Sequence, residues 1–302
     1  KLTGELTVNV GNGDQTIVSR NDNQPGNLIA GQWLQQRTST MLTPVLTQTF
    51  NTTGLNVFAY KYGAVHPGRT VVICGHYDAM PGGPVAAPAA DDDGSGTVSV
   101  LEAMRVLTPY TFENTICFAF WDKEEQGLLG SHFFAGVAAA NDDTIVGAVN
   151  MDAIAYDSNG DRHMKVHTKP IANSIAIKDT ALMVNTTYGI GLPITVQNPG
   201  ATYSDHASFW QEGYGAILVI EDFEGDGNPH YHTSTDLLQY MDQEYWADLT
   251  RLSVGTAACL AIPYDISSPA AAAVPSAPEI TSRIVCPRAA SPPVAAPTPP
   301  AI

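Results

Sequence analysis

The chain has 302 residues, 44% of them apolar, which is enough to bury a substantial core and argues for a globular rather than a disordered protein. Its formal net charge is −16 with only 14 Lys and Arg, a balance that repels phosphate backbones and anionic lipid, so neither nucleic acid nor membrane is an expected partner. No apolar run approaches the ~18 residues of a membrane span.

In chain order, Lys1 is followed at once by an alternation of Leu2, Leu6, Val8 and Val10, which reads as a mature amino terminus rather than a signal peptide. A helix is predicted over Gly26–Arg37 after Pro25, then two strands near Val45–Phe50 and Leu55–Lys61. Further strands are predicted at Thr70–His76, Thr115–Trp121, Ile145–Met151, His163–Thr168 and Ala216–Ile220. Most are short continuous apolar runs, the pattern of strands buried on both faces of a parallel sheet. Between them, helices are predicted at Gly96–Leu107, Ala172–Val184, Ser204–Glu212 and Asp242–Ile262. The alternation implies one α/β domain over residues 1–265, with a mostly parallel, mixed central sheet covered by helices on both faces. Residues 266–302 are rich in Pro and Ala and charged only at Glu279, Arg283 and Arg288, so they read as a linker or tail. The short Glu279-Ile280-Thr281 and Ile284-Val285 pieces leave open the start of an appended module.

The four cysteines divide by context. Cys74 and Cys117 lie within apolar strands and read as buried thiols. Cys259 in the last helix and Cys286 in the tail are able to pair under oxidising conditions, although spacing alone cannot choose among the three connectivities of four cysteines.

Ligands of such a sheet bind beyond the carboxyl ends of its strands, and there the sequence is rich in His and carboxylate. The runs end in Gly75-His76-Tyr77-Asp78, Asp122-Lys123-Glu124-Glu125, Met151-Asp152 and Glu221-Asp222-Phe223-Glu224, and a later loop holds His230-Tyr231-His232. An acidic loop, Asp91-Asp92-Asp93, enters the first long helix. Taken singly, each has a plain structural reading; aspartates before a helix usually cap it. Gathered on one rim with few Lys or Arg to compensate, the carboxylates would repel one another strongly unless divalent cations resolved the charge.

Six motifs in order then resemble the leucyl aminopeptidase-type di-zinc exopeptidases of peptidase family 28, whose domain layout is phosphorylase/aminopeptidase-like. They are Gly75-His76-Tyr77-Asp78, Ala90-Asp91-Asp92-Asp93-Gly94-Ser95-Gly96, Glu124-Glu125-Gln126-Gly127-Leu128-Leu129-Gly130-Ser131, Asn150-Met151-Asp152, Ser204-Asp205-His206 and Tyr231-His232-Thr233. The resemblance implies two zinc ions: His76 and Asp152 hold one, Glu125 and His232 the other, and Asp92 bridges both. It implies that Asp78 orients His76 and that Asp236 does the same for His232. Glu124 is implied as general base and Tyr231 as hydrogen-bond donor to the tetrahedral oxyanion, with simple packing as the equal alternative for Tyr231. It also implies a cis peptide after the bridging Asp92.

The implied protein is a secreted or periplasmic monomer that acts on peptides with a free amino terminus. An apolar first residue is expected from the aromatic surface of Ala201–Tyr203 and Phe223. Gly94, Asp122 and Lys123 depart from the family pattern and leave the side-chain pocket unassigned. Glutaminyl cyclase and the glutamate carboxypeptidase branch are the nearest rivals, and a non-catalytic receptor-like protein is disfavoured because no ligand is missing. Ser204-Asp205-His206 cannot act as a hydrolase triad, since adjacent residues do not converge as one requires.

Overall fold

A computed structural model describes residues 1–264 of the chain. The 266–302 segment and Cys286, with the readings attached to them, lie outside the described residues. A short hairpin, β1 (Val8–Asn9) and β2 (Asp14–Gln15), precedes α1 (Pro25–Ser39), where Pro25 occupies the first turn and forfeits no hydrogen bond. The remaining strands are β3 (Val45–Phe50), β4 (Gly54–Lys61), β5 (His66–His76), β6 (Asn114–Trp121), β7 (Thr144–Met151), β8 (Met164–His167), β9 (Ile194–Gln197) and β10 (Ala216–Glu221). The helices among and after them are α2 (Gly94–Leu107), α3 (Leu129–Ala140), α4 (Ser174–Thr187), α5 (His206–Gln211) and α6 (Gln243–Ala261).

These strands form one eight-stranded sheet in the order β3-β4-β6-β5-β7-β10-β8-β9. Its centre, β6-β5-β7-β10, is parallel throughout, while β3, β4 and β8 pair antiparallel toward the edges. Residues of alternate parity face opposite ways, as the pleat requires. Val71 and Ile73 join Phe118 and Phe120 in a core with Leu34, Met104, Val184 and Leu252, from α1, α2, α4 and α6. Val72, Cys74, Cys117 and Trp121 face the other way, onto Phe134 of α3 and Phe209 of α5. Both faces are therefore covered, which is why these strands read as unbroken apolar runs.

Every predicted element is present, within a few residues of its expected ends. Four pieces were not predicted: the β1–β2 hairpin, β9, α3 and a single 3-10 turn at Leu238–Tyr240. The start of α3 carries no side-chain cap, and Leu128 before it has a left-handed φ of 60°. What supports the helix is Phe134, whose ring lies 4.8 Å from that of Trp121 and 5.4 Å from that of Phe58. Register brings His76 opposite Trp121, and Val219 of β10 opposite Met151. The carboxyl ends of the four central strands thus finish on one rim.

Candidate active site

The six residues expected to hold metal or act as base come together on that rim. His76 closes β5, Asp152 follows β7, and Glu124 and Glu125 follow β6. Asp92 comes from the loop before α2, and His232 from the loop after β10. The two carboxylate oxygens of Asp92 point in different directions: Oδ1 lies 3.3 Å from His76 Nε2, and Oδ2 lies 2.9 Å from His232 Nε2. His76 Nε2 is also 3.6 Å from Asp152 and 3.9 Å from Glu124, while His232 Nε2 is 3.1 Å from Glu125. Two groups result, His76–Glu124–Asp152 and Asp92–Glu125–His232, each compact enough to surround one ion.

Local backbone geometry makes this possible. Neighbouring residues in a regular strand point to opposite faces, so Glu124 and Glu125 can share a site only in a loop. The loop is set by left-handed φ values at Lys123 (61°) and Gly127 (98°). Asp78 holds it there: one carboxylate oxygen accepts the Glu124 N–H at 3.0 Å, and the other accepts the Glu125 N–H at 3.2 Å. The same carboxylate lies 3.3 Å from His76 Nδ1, so Asp78 sits between the histidine and the loop that carries Glu124 and Glu125. His232 itself has a left-handed φ of 58°, uncommon for a residue with a side chain.

The three consecutive aspartates do three different things. Asp92 faces the histidines, and the peptide bond after it is cis, as the resemblance implies. Asp93 caps α2 by accepting the Gly96 N–H at 2.8 Å, and its other oxygen accepts the His76 N–H at 3.0 Å. Gly96 has no room for a side chain, since a Cβ would meet the Asp93 carboxylate at 2.5 Å and Met151 O at 2.6 Å. Asp91 turns away and accepts from Ala155 N–H and the Asn228 amide, both at 2.9 Å.

One expected role is corrected. Asp236 does not orient His232; its carboxylate accepts the backbone N–H groups of Asp91 and Asp92 at 3.2 Å, and so supports the loop that carries Asp92. Glu221, Asp222, Glu224 and His230, which sequence also puts near the rim, serve elsewhere. Glu221 is buried and accepts the Tyr156 N–H, Asp222 and Glu224 pair with Lys165, and His230 stacks on Tyr240. Ser204 accepts from Asn150 and His206 faces Ala201 O, so the two form no triad.

Tyr231 stacks on the His232 ring at 3.8 Å and meets Phe223 edge-on at 4.9 Å. Burial, then the fields of Asp92, Asp152, Glu125 and Glu124, hold its hydroxyl well above the usual range, so it stays a donor. The least foreseeable contributor is Arg20, fully buried, whose guanidinium donates to the carbonyls of Tyr77, Leu2, Pro88 and Ala89. It ties the end of β5 to the start of the acidic loop. Its only trace in the sequence is that of a cation in a chain poor in cations.

The electrostatics call for cations. Burial opposes charge on His76, but Glu124, Asp152, Asp78 and Asp92 outweigh it and hold the imidazole well above its ordinary range. His232 is likewise raised, to about 10: burial lowers it, but Asp92 and Glu125 more than reverse that. Burial and the neighbouring Asp92 charge push Glu125 up to about 7. His76 Nε2 is buried, faces these carboxylates, and has no hydrogen-bond partner. A donor set of two imidazoles and several carboxylate oxygens, without sulfur, suits a divalent ion such as zinc.

Comparison with known proteins agrees with this geometry. The profile of peptidase family M28 matches residues 56–256. Leucine aminopeptidase 1 of Trichophyton equinum is 32% identical over 245 residues, covering 74% of this chain and 65% of that protein. The chain thus spans about two thirds of the length of the fungal relatives it matches. The LapA aminopeptidase of Legionella pneumophila superposes with a TM-score of 0.70 at 26% identity, over 82% of this chain and 68% of that one. Glutaminyl cyclase of Porphyromonas gingivalis shares the fold, with a TM-score of 0.67 at 18% identity over 80% of this chain and 92% of that one.

Proposed function

Because this chain belongs to peptidase family M28, we propose that it is a co-catalytic di-zinc aminopeptidase that cleaves the first peptide bond of peptides with a free amino terminus. The observation that carries this reading is Asp92, whose two oxygens address His76 and His232 separately. His76 and Asp152 would hold one zinc, Glu125 and His232 the second, and Asp92 would bridge. When bound, such a pair supplies Lewis-acid polarisation of the scissile carbonyl and a water nucleophilic at neutral pH.

The chain's own groups do the rest. Glu124, buried beside His76, takes the proton of the attacking water and returns it to the leaving amine. Asp78 keeps Glu124, Glu125 and His76 in register. The Tyr231 hydroxyl, kept protonated, donates to the oxygen on which negative charge develops. The net charge of −16 favours a substrate that brings an ammonium group. Binding a terminal carboxylate would need a cationic clamp, and Lys123, adjacent to the base, is engaged with Asp22 and Thr53. Tyr203 and Phe223 offer aromatic surface that favours an apolar first residue. A disulfide-bonded Cys259 supports a secreted or periplasmic setting.

Glutaminyl cyclase is the second reading, favoured by the shared fold alone. The two-sided Asp92, the second group around His232 and the higher identity to aminopeptidases favour the first reading. The test compares a leucyl anilide, its N-acetylated form, an N-blocked peptide ending in glutamate, and a peptide beginning with glutamine. Hydrolysis of the free leucyl anilide alone, with close to two zinc ions per chain, is expected. Release of the C-terminal glutamate would move the chain to the carboxypeptidase branch, and cyclisation with one ion would make it a cyclase.

A further inference from the structure

The 198–203 loop, between β9 and α5, carries Tyr203 to the mouth of the site and is gripped by two histidines, neither of which belongs to the metal-type groups. Its far end is tied beneath the rim: Asn150, two residues before Asp152, donates its amide to Ser204 Oγ at 2.7 Å. Tyr203 keeps 55% of its surface accessible. Partial burial, then the fields of Asp152 and Glu224, push its hydroxyl up to about 12, which puts the ring on the Asp152 side of the rim.

Both polar groups of the Ala201 backbone are taken by imidazoles. The Ala201 N–H donates to His167 Nδ1 at 3.1 Å, and the Ala201 carbonyl accepts from His206 Nε2 at 2.9 Å. His167 is the last residue of β8 and His206 the first of α5, so the loop is pinned between a strand end and a helix start. Each contact fixes a tautomer. With Nδ1 accepting, a neutral His167 carries its proton on Nε2, which lies 3.3 Å from the Tyr203 oxygen. His206 carries its proton on Nε2 as well, and its Nδ1 is buried without a hydrogen-bond partner while the ring meets Trp210 edge-on at 4.5 Å. Burial, then the Lys165 charge, bring His167 down to about 4, and burial brings His206 down to about 3. Both are therefore uncharged at neutral pH, the state these contacts need. Close packing completes the grip. Gly200 lies so near β8 that a Cβ there would meet His167 Cβ at 2.8 Å and Thr168 N at 2.9 Å. Its own N–H donates to Thr168 O at 2.7 Å.

On the aminopeptidase reading, we propose that His167 and His206 are positioning residues for the subsite that takes the substrate's first side chain. By holding Ala201 from both sides they fix the wall that Tyr203 forms, and with it a preference for a branched apolar residue over a small one. Neither histidine touches substrate; both act through the loop. Released from the clamp, the loop would still bring aromatic surface to the mouth but would enclose no fixed gap, so large and small first side chains would be treated more alike.

The test uses the full chain loaded with zinc and three variants. His167→Phe and His206→Phe keep a ring in place and remove its hydrogen bonds. His167→Gln instead offers an amide oxygen to the Ala201 N–H and an amide N–H to Tyr203. In each protein, kcat/KM is measured for the leucyl and the glycyl anilide. Both substrates see the same fraction of folded, metal-loaded enzyme, so their ratio moves only when the subsite changes shape. The leucyl-to-glycyl ratio should fall at least about tenfold in both Phe variants, mainly through KM for the leucyl anilide, and return to within about threefold of the parent in His167→Gln. Hydrogen exchange at the Ala201 amide follows the clamp without any substrate: protection should be lost in His167→Phe and kept in His167→Gln. An unchanged ratio in the Phe variants would overturn the proposal, as would an Ala201 amide equally protected in His167→Phe and the parent. A parent that cleaves neither anilide would overturn the aminopeptidase reading and the subsite role with it, an outcome that the exchange measurement separates from failure of the clamp.

Discussion

At the scale of single residues, the site is governed by how much negative charge a buried rim can carry. Asp92, Glu124, Glu125 and Asp152 converge with only two imidazoles among them, and both imidazoles are held above their ordinary range by those carboxylates. A metal ligand must be neutral imidazole, so each histidine that is protonated in the metal-free chain releases its proton on binding. His232 titrates near 10 in place of its usual 6.5, so the proton must be displaced throughout the range below about 10, and zinc affinity rises with pH there. Calorimetric titration of the metal-free chain with zinc at pH 7, in buffers of different ionisation enthalpy, should report release of one to two protons per chain; net uptake would contradict it. Glu124 is a different case, since it is proposed to move a proton rather than hold an ion. Glu124→Gln should retain both zinc ions and lose about 10²–10⁴-fold in turnover with little change in KM. Activity within a few-fold of the parent would remove Glu124 from the mechanism.

At the scale of elements, the site exists because loops follow parallel strands that end together, and because α3 braces the loop that carries two of its carboxylates. The Glu124–Leu128 turn runs straight into α3, whose anchor is Phe134 among Trp121, Phe58 and Phe209. Removing that ring leaves a cavity under the turn. Phe134→Ala should cost about 3–4 kcal/mol of stability by the transfer and cavity terms for a buried aromatic. Denaturant midpoints would measure it, with KM preserved in the fraction that stays folded. A loss below about 1 kcal/mol would mean that the turn holds α3 in place rather than the reverse. The predicted strands matched closely for the same reason that α3 was missed. Strands buried on both faces announce themselves as apolar runs, whereas α3 begins without a cap and takes its orientation from tertiary contacts.

At the scale of the whole molecule, two cores on opposite faces of one sheet make residues 1–264 a single α/β unit, with a cluster of buried carboxylates at one rim and an apolar groove elsewhere. The strongly acidic composition is consistent with the proposed substrate, since it favours an incoming ammonium group over a carboxylate. The 266–302 stretch reads from composition as an inert tail whose deletion changes nothing unless Cys259 is bridged to it. Melting curves of the full chain and of a chain lacking Ser267–Ile302 should coincide closely, and a lower melting temperature for the shortened chain under oxidising conditions alone would report a bridge from Cys259.

The sequence by itself determined the strand pattern, the strand ends at which chemistry gathers, and the ligand types, because burial and charge leave one-dimensional traces in residue order. It could not say which of three adjacent aspartates bridges from spacing alone; the resemblance singled out Asp92, and the direction of each side chain depends on backbone geometry set by Asp93, Asp236 and the Arg20 carbonyl contacts. The pairing of Asp236 with His232 that the resemblance implies fails in the same way, since a carboxylate's partner is whichever donor the fold brings within reach, here two backbone N–H groups of the Asp91-Asp92 loop. Arg20, distant in sequence from every ligand, entered the site only through tertiary structure, because a hydrogen bond across 57 to 69 residues leaves no local signature.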